Sequence, residues 1–173
     1  MNLFLSRIIR ASKLEANLYE EVEADKSSIT HAVAVVILSS FAAGLGSATP
    51  ADPLNLLSNT LGAFIGWVLW AFFIYIIGAK LFPQPQTEAD YGQLLRTIGF
   101  SASPGIIRIA GVYQPLRETL FFIVAIWMFA AMVVAARQAL DYTTTLRSLM
   151  VCLGGWFLQI LLLGLILFSV QNF

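Results

Sequence analysis

Residues 61–79 read LGAFIGWVLWAFFIYIIGA and contain no charged side chain. A helix of this length rises roughly 28 Å, close to the thickness of about 30 Å of bilayer hydrocarbon, so the stretch predicts a membrane-spanning helix. The composition agrees, because 58% of the residues are hydrophobic and only 12% are charged. Soluble domains carry about 25% charged residues, and a soluble core cannot enclose this much apolar surface.

Four further stretches complete the predicted bundle. Three of them are regular and have spanning length: residues 29–46, 119–136 and 148–170. The fourth, residues 92–112, contains two arginines and Pro104, and a proline inside a helix removes one backbone hydrogen bond. We therefore expect an all-α, polytopic membrane bundle of five hydrophobic helices in which the third is irregular or broken and packs inside the bundle. A surface-lying or re-entrant segment is the alternative.

The break in the third helix is itself a candidate site. Its central residues are Gly99, Ser101, Ser103, Pro104 and Gly105. Broken helices line substrate or ion sites in many transporters, because their exposed amides and carbonyls can coordinate a ligand. A kink that serves only packing is the simpler interpretation.

The distribution of lysine and arginine predicts the orientation in the membrane. Basic residues accumulate on the cytoplasmic side of membrane proteins. A cytoplasmic N-terminus places eight of the ten basic residues inside: Arg7, Arg10, Lys13, Lys26, Lys80, Arg96, Arg137 and Arg147. Only Arg108 and Arg117 then lie outside, and five crossings leave Phe173 outside as well. The net charge of +0 gives no reason to expect a nucleic-acid partner.

Residues 1–26 are expected to form a separate N-terminal segment ahead of a transmembrane domain at 27–173. Leu5 and Ile9 are spaced by one helical turn among basic residues, which is typical of an amphipathic helix lying in the membrane interface. Leu14, Leu18 and Val22 continue an apolar stripe. The opposite side of that second part is acidic, so we expect it to rest against protein and not against an anionic membrane surface.

Charged residues on the predicted cytoplasmic side suggest a docking cluster. Arginine that is partly sunk into a bundle needs a carboxylate partner. We hypothesise that Glu20, Glu23 or Asp25 docks on Arg96 and Arg137 and clamps the N-terminal helix to the bundle. Asp141, four residues after Arg137, could pair with it or cap the next helix.

The acidic residues of this segment also allow other interpretations. Glu20 and Glu23 share a helical face and could bind a divalent cation or act as acid and base. A solvated charged face is the plain alternative.

Small residues are candidates for helix packing: Gly62, Gly66, Ala131 and Ala135. Catalytic residues, cofactors and metal ligands are expected to be absent, because the chain has one histidine, one cysteine and no nucleotide or metal-ligand motif. His31 could ligate haem or chlorophyll, but a single membrane histidine is more often a polar interfacial residue.

Three sequence motifs together resemble one family. They are LYEEVEAD at 18–25, RTIGFSASPG at 96–105 and WMFAAMVVAARQALDYTTT at 127–145. In this order they are similar to the opening, the central signature and the fourth helix with its following turn in the bacterial branch of the Yip-one family. The family comprises Ypt/Rab-interacting membrane proteins, including the YIPF proteins of animals. The resemblance covers the chain from about Leu14 to about Gly155.

This resemblance implies a Yip-type five-helix membrane domain with a non-enzymatic role in organising membranes or partner proteins. It also implies residence in a prokaryotic inner (plasma) membrane, contact with lipid, and association with other membrane proteins or with itself. Two alternatives remain open. One is a small transporter, channel or lipid translocator that uses the broken third helix, and the other is an accessory subunit of a larger membrane complex.

Overall fold

The computed structural model describes residues 2–47 and 53–171, and within these ranges the chain is helical and contains no strand. The α-helices in this part of the chain are α1 (Leu3–Ser12), α2 (Ala16–Ala24), α3 (Ser28–Gly46), α4 (Pro53–Ile74), α5 (Tyr91–Phe100), α6 (Arg117–Ala139) and α7 (Thr145–Gln171). A π-helix at Tyr75–Leu81 extends α4, and 3-10 helices at Ser103–Val112 and Gln114–Leu116 follow α5.

Among the described residues, four helices are long and apolar enough to cross a membrane. They are Ser28–Gly46, Leu56–Leu81, Gln114–Ala139 and Thr145–Leu165. Many large apolar side chains on their outer faces are exposed, including Phe122 on α6 and Phe157 on α7. Lipid is the natural solvent for such a surface. The predicted class, an all-helical membrane protein, is therefore confirmed, whereas the residues of the predicted third span are not among the four long helices.

That third segment divides where the sequence carries its helix breaker. A capping box begins α5, with Gln93 N donating to Asp90 Oδ1 at 2.7 Å and Asp90 N donating to Gln93 Oε1 at 2.5 Å. The α-helix ends at Phe100, and the chain continues from Ser103 as a 3-10 helix with Pro104 in its first turn. Proline suits this position because its missing N–H has no helical acceptor there.

The two parts of the segment run alongside α3, in the same direction. A Cβ on Gly99 would lie 2.7 Å from the Cβ of Ala32, and one on Gly111 would lie 2.8 Å from the carbonyl oxygen of Gly46. Between these points a Cβ on Gly105 would overlap Ser39 Oγ. At these three points, the absence of a Cβ on glycine lets the segment approach α3 closely.

The helix α2 packs across one end of the bundle, against α5 and α6. Its side chains Leu18, Tyr19 and Val22 are fully buried there. The end of the bundle that carries α2 is termed the α2 end below. The opposite end, where α3 ends and α6 begins, is termed the far end.

Candidate functional site

Arg7 is the central residue of the contacts that attach the N-terminal helices. It lies on α1 and is only 4% exposed. Its Nε donates to Glu21 Oε1 and its Nη2 donates to Asp25 Oδ2, both at 2.9 Å. Its Nη1 also lies 3.3 Å from His31 Nδ1, so one guanidinium links α1, α2 and α3. Here His31 serves as a hydrogen-bond partner of a buried cation.

A second arginine reinforces this attachment. Arg10 Nε donates to Glu15 Oε2 at 3.1 Å, and Arg10 Nη1 donates to Glu21 Oε2 at 2.6 Å. The hydrogen bond from Arg10 lowers the pKa of Glu21, with Arg7 adding to the effect. Hydrogen bonding by the Ser27 hydroxyl, followed by that of Arg7, lowers the pKa of Asp25 to about 2. The acidic side of α2 is therefore matched largely by α1 itself.

The sequence pattern did not indicate this role for Arg7, because the spacing of Leu5 and Ile9 favoured a lipid-facing amphipathic helix. The acidic partners lie 14 and 18 residues further along the chain. No local periodicity reports contacts at such separations. The one available signal was the excess of carboxylates on α2 over bases in the same helix.

Arg96 holds the C-terminal end of α2 through backbone atoms. Its Nε donates to the carbonyl oxygen of Val22 at 3.0 Å, and its Nη2 donates to that of Glu23. The last carbonyls of a helix have no intrahelical donor, and they carry the negative end of the helix dipole. A buried guanidinium satisfies both needs, and Arg96 is only 7% exposed.

The carboxylates of the predicted docking cluster have partners other than those expected. Among the described residues, the ion pairs within 4.0 Å involve Arg7 and Arg10, and none joins Arg96 or Arg137 to a carboxylate. Glu20 Oε1 accepts instead from Gln138 Nε2 at 2.7 Å. The α2 helix thus contacts Arg96 through backbone carbonyl oxygens and not through the hypothesised carboxylates.

Arg137 and Asp141 organise neighbouring loops and not each other. Arg137 Nε donates to the carbonyl oxygen of Tyr142, and its Nη1 donates to Thr145 Oγ1, both at 3.2 Å. Asp141 Oδ2 accepts from the backbone N of Glu88 at 3.4 Å. Both residues lie at the α2 end, where they connect the start of α7 with the loop before α5.

Glu23 is the unusual carboxyl group of this cluster. Burial raises its pKa to about 7, and the nearby carboxylates Asp141, Glu20 and Asp90 add to this effect while Arg96 opposes it. The raised pKa places its titration near neutral pH.

Within the described ranges, no three His, Cys, Asp or Glu side chains are grouped so that they could hold a metal ion.

A cavity of about 330 Å³ lies inside the bundle, next to the break between α5 and the 3-10 helix. One face of α3 lines it with Ser39, Ser40 and Ser47, and α4 contributes Asn59. From the predicted broken-helix element, Ser101 lines the cavity. Gly99, Ser103, Pro104 and Gly105 are buried in the surrounding packing, and Ser103 Oγ is buried without a hydrogen-bond partner.

The two arginines of the far end differ in their partners. Arg117 Nε donates to the carbonyl oxygens of Gly46 at 3.1 Å and of Gly111 at 3.0 Å. Arg108, which lines the cavity, has a buried Nε without a hydrogen-bond partner. Its guanidinium lies 5.6 Å from the centre of the Phe121 ring. Arg117 therefore binds backbone carbonyl oxygens, whereas the Nε of Arg108 is available to donate a hydrogen bond to a ligand.

The predicted packing residues differ in how closely other helices surround them. Ala131 and Ala135 are fully buried in the bundle. A Cβ on Gly66 would meet Gln159 Nε2 of α7 at 3.5 Å, whereas one on Gly62 would meet nothing within 4 Å. Gly62 is therefore not needed for contacts within the described chain.

Comparison with known proteins identifies a family. A family model described as the Yip1 domain matches residues 17–167. No curated protein and no solved structure matches the chain. The matched residues begin in α2 and end in α7, so they include the Arg96 contact and the cavity, and they leave α1 outside.

Proposed function

This chain belongs to the Yip1 family, and we propose that it is a non-enzymatic integral membrane protein that organises membrane or partner proteins. The observation that carries the proposal is the attachment of α1 and α2 to the bundle by Arg7 and Arg96. These contacts turn a charged segment into an ordered surface at one end of a lipid-embedded bundle. A preordered surface binds a partner at a lower cost in conformational entropy than a flexible segment does.

We propose five membrane crossings, with the segment from Tyr91 to Val112 as the third. Ten α-helical and ten 3-10 residues reach about 35 Å, enough to cross the hydrocarbon. The close contacts with α3 continue from Ala32 to Gly46, which supports a crossing in the same direction as α3. Its arginines would then lie near opposite surfaces, with Arg96 inside and Arg108 outside.

The proposed orientation has a cytoplasmic N-terminus and an external C-terminus, in the inner membrane of a prokaryote, and the chain is proposed to belong to the bacterial branch of the family. The basic residues support this orientation, because Arg96, Arg137 and Arg147 share the α2 end, and Arg117 is bound at the far end. Helix α1 is proposed to lie in the inner interface, since Leu3 and Leu5 are more than half exposed while Arg7 faces the protein.

A pull-down from native membranes, read by mass spectrometry, tests the organising role. We compare the wild-type chain with Arg7→Met, which removes the contacts to α2, and with Lys13→Met, which changes an exposed residue near the same helix. The proposal expects a defined partner set with the wild type and Lys13→Met and its loss with Arg7→Met. Partner sets that are identical for all three chains, or no partner above background for the wild type, would contradict it.

The cavity supports a second candidate, a small transporter or lipid translocator that uses the break after α5. Flux assays with liposomes test it, using a fluorescent phospholipid and small ions. Transport by the wild type that Arg108→Gln abolishes would favour this candidate over the organising role. An accessory subunit of a larger complex, the third candidate, would instead co-purify in fixed stoichiometry with its partner.

A further inference from the structure

The cavity beside the break has a mainly apolar lining into which a few polar side chains are set, which is the usual composition of a ligand pocket. Its volume of about 330 Å³ is far above the share of about 30 Å³ that one water occupies in the liquid, and it lies at the lower end of ordinary ligand pockets. Hydroxyl groups line it on the α3 side, from Ser39 and Ser40 to Ser47 at the end of the helix.

The cavity offers hydrogen-bond donors without a matching anion. Arg108 and Trp70 both line it, and the Arg108 Nε and Trp70 Nε1 atoms are buried without a hydrogen-bond partner. No carboxylate is present among its described lining residues, and none forms an ion pair with Arg108 in the described part of the chain. A buried guanidinium Nε without an acceptor is costly, and the Phe121 ring faces the cation without accepting a hydrogen bond from Nε, so this arrangement favours an anionic ligand that accepts hydrogen bonds.

The surroundings of Arg108 indicate where such an anion comes from. Ile107 is 40% exposed, Ile109 is 50% exposed and Val112 is 64% exposed on the outer surface of the same 3-10 helix. These side chains present apolar surface to lipid. A molecule with its anionic part in the cavity can therefore leave its acyl chains on this outer surface.

We propose that the cavity binds the phosphodiester of a phospholipid headgroup, with Arg108 as its cationic contact. The planar fork of a guanidinium matches two phosphate oxygens. The hydroxyls of Ser40 and Ser47 donate within α3, to the carbonyl oxygens of Val36 and Gly44, so they can serve the headgroup as acceptors. The volume accommodates a headgroup and glycerol but not two acyl chains. This inference goes beyond the organising role, because lipid would bind whether or not a partner protein does.

The test uses the full chain, delipidated in mild detergent and titrated with three probes: phosphatidylglycerol, diacylglycerol with the same acyl chains, and inorganic phosphate. Lipid retained per chain is read by native mass spectrometry, and the melting temperature is read in parallel. We expect phosphatidylglycerol to be retained and to raise the melting temperature, and diacylglycerol to do neither. Loss of a charge-assisted hydrogen bond should make Arg108→Gln bind about tenfold more weakly. Arg108→Lys should recover part of the affinity, and Lys13→Gln, at an exposed site, should match the wild type.

Several results would overturn the proposal. One is equal retention of diacylglycerol, since that ligand has no phosphate. Another is an affinity of Arg108→Gln for phosphatidylglycerol that equals that of the wild type. A full thermal shift with inorganic phosphate alone, without any gain from the lipid, would assign the site to a soluble anion. If Arg108→Gln fails to fold, lipid binding is measured with Ala63→Leu instead. This substitution narrows the cavity from the α4 side and leaves the charge of Arg108 intact. Undiminished lipid binding by Ala63→Leu would then reject the site.

Discussion

Arg96 caps the C-terminus of α2 by donating from Nε to the carbonyl oxygen of Val22 at 3.0 Å. These two residues are 74 positions apart in the chain. The contact joins the N-terminal segment to the irregular third segment of the bundle. It also explains why α2 can lie across the bundle end although its own last turn lacks a basic residue.

Removal of this cap should loosen α2. We expect Arg96→Met to remove the side-chain donor of the Glu23 carbonyl, while the Val22 carbonyl keeps its bond from Ser28 Oγ, and to cost about 1–3 kcal/mol of stability. Thermal unfolding in detergent and limited proteolysis between α2 and α3 measure the effect. The control is Lys26→Met, which changes an exposed base just after α2. Equal protease resistance of the two variants would show that Arg96 does not anchor the helix.

Glu23 should make stability depend on pH. Its folded pKa of about 7 lies above its ordinary value of 4.5, so the folded state holds the proton more tightly. Protonated Glu23 therefore adds to the free energy of unfolding. This stabilisation is fully present below about pH 4.5 and is lost as the pH rises through about 7. We expect Glu23→Gln to raise the melting temperature at pH 8 more than at pH 5. Glu20→Gln, on the same helix, is the control, and an equal gain from Glu23→Gln at both pH values would refute the assignment.

The close approach of the 3-10 helix to α3 should tolerate no side chain at Gly105. A Cβ at this position would overlap Ser39 Oγ. We expect Gly105→Ala to destabilise the chain by about 1–3 kcal/mol through overpacking. Gly62→Ala is a matched control because its Cβ would meet nothing within 4 Å. Indistinguishable melting temperatures for the two variants would contradict the described packing.

Gly66 should tolerate a methyl group but not a larger side chain. Its Cβ would lie 3.5 Å from Gln159 Nε2, an ordinary contact with a flexible group. We expect Gly66→Ala to resemble the wild type, and Gly66→Leu to lower the melting temperature and disturb assembly. Size-exclusion profiles and thermal unfolding in detergent provide the readouts. A normal size-exclusion profile together with normal thermal stability for Gly66→Leu would show that a large side chain fits at this position.

The proposed five crossings predict on which side two loops lie. If the third segment crosses, Gln114 is outside and Thr143 is inside; if it does not, the two positions exchange sides. Both residues are exposed, and the native Cys152 is fully buried. In a Cys152→Ser background, we expect a membrane-impermeant maleimide to label Gln114→Cys in intact spheroplasts and Thr143→Cys only after lysis. The reverse pattern would reject the combination of five crossings with a cytoplasmic N-terminus.

The polar contacts were less predictable than the helices. The docking of α2 near Arg96 could be anticipated from the need of a sunken arginine for a partner, but the nature of that partner could not. Carboxylates and carbonyls are both good acceptors, and only the packed positions of the helices select between them. Arg7 was expected to face the interface and is instead 4% exposed between Glu21 and Asp25.

By itself, the sequence determined the membrane class, the four long helices and the location of the break before Pro104. These are local properties, because hydrophobicity over about 20 residues decides insertion and a proline acts on its own turn. Only the tertiary structure decided that Arg7 and Arg96 bind α2 and that Arg108 lines a cavity between the helices. Hydrogen bonds between distant residues depend on how close the helices pack, and that distance is a property of the whole bundle.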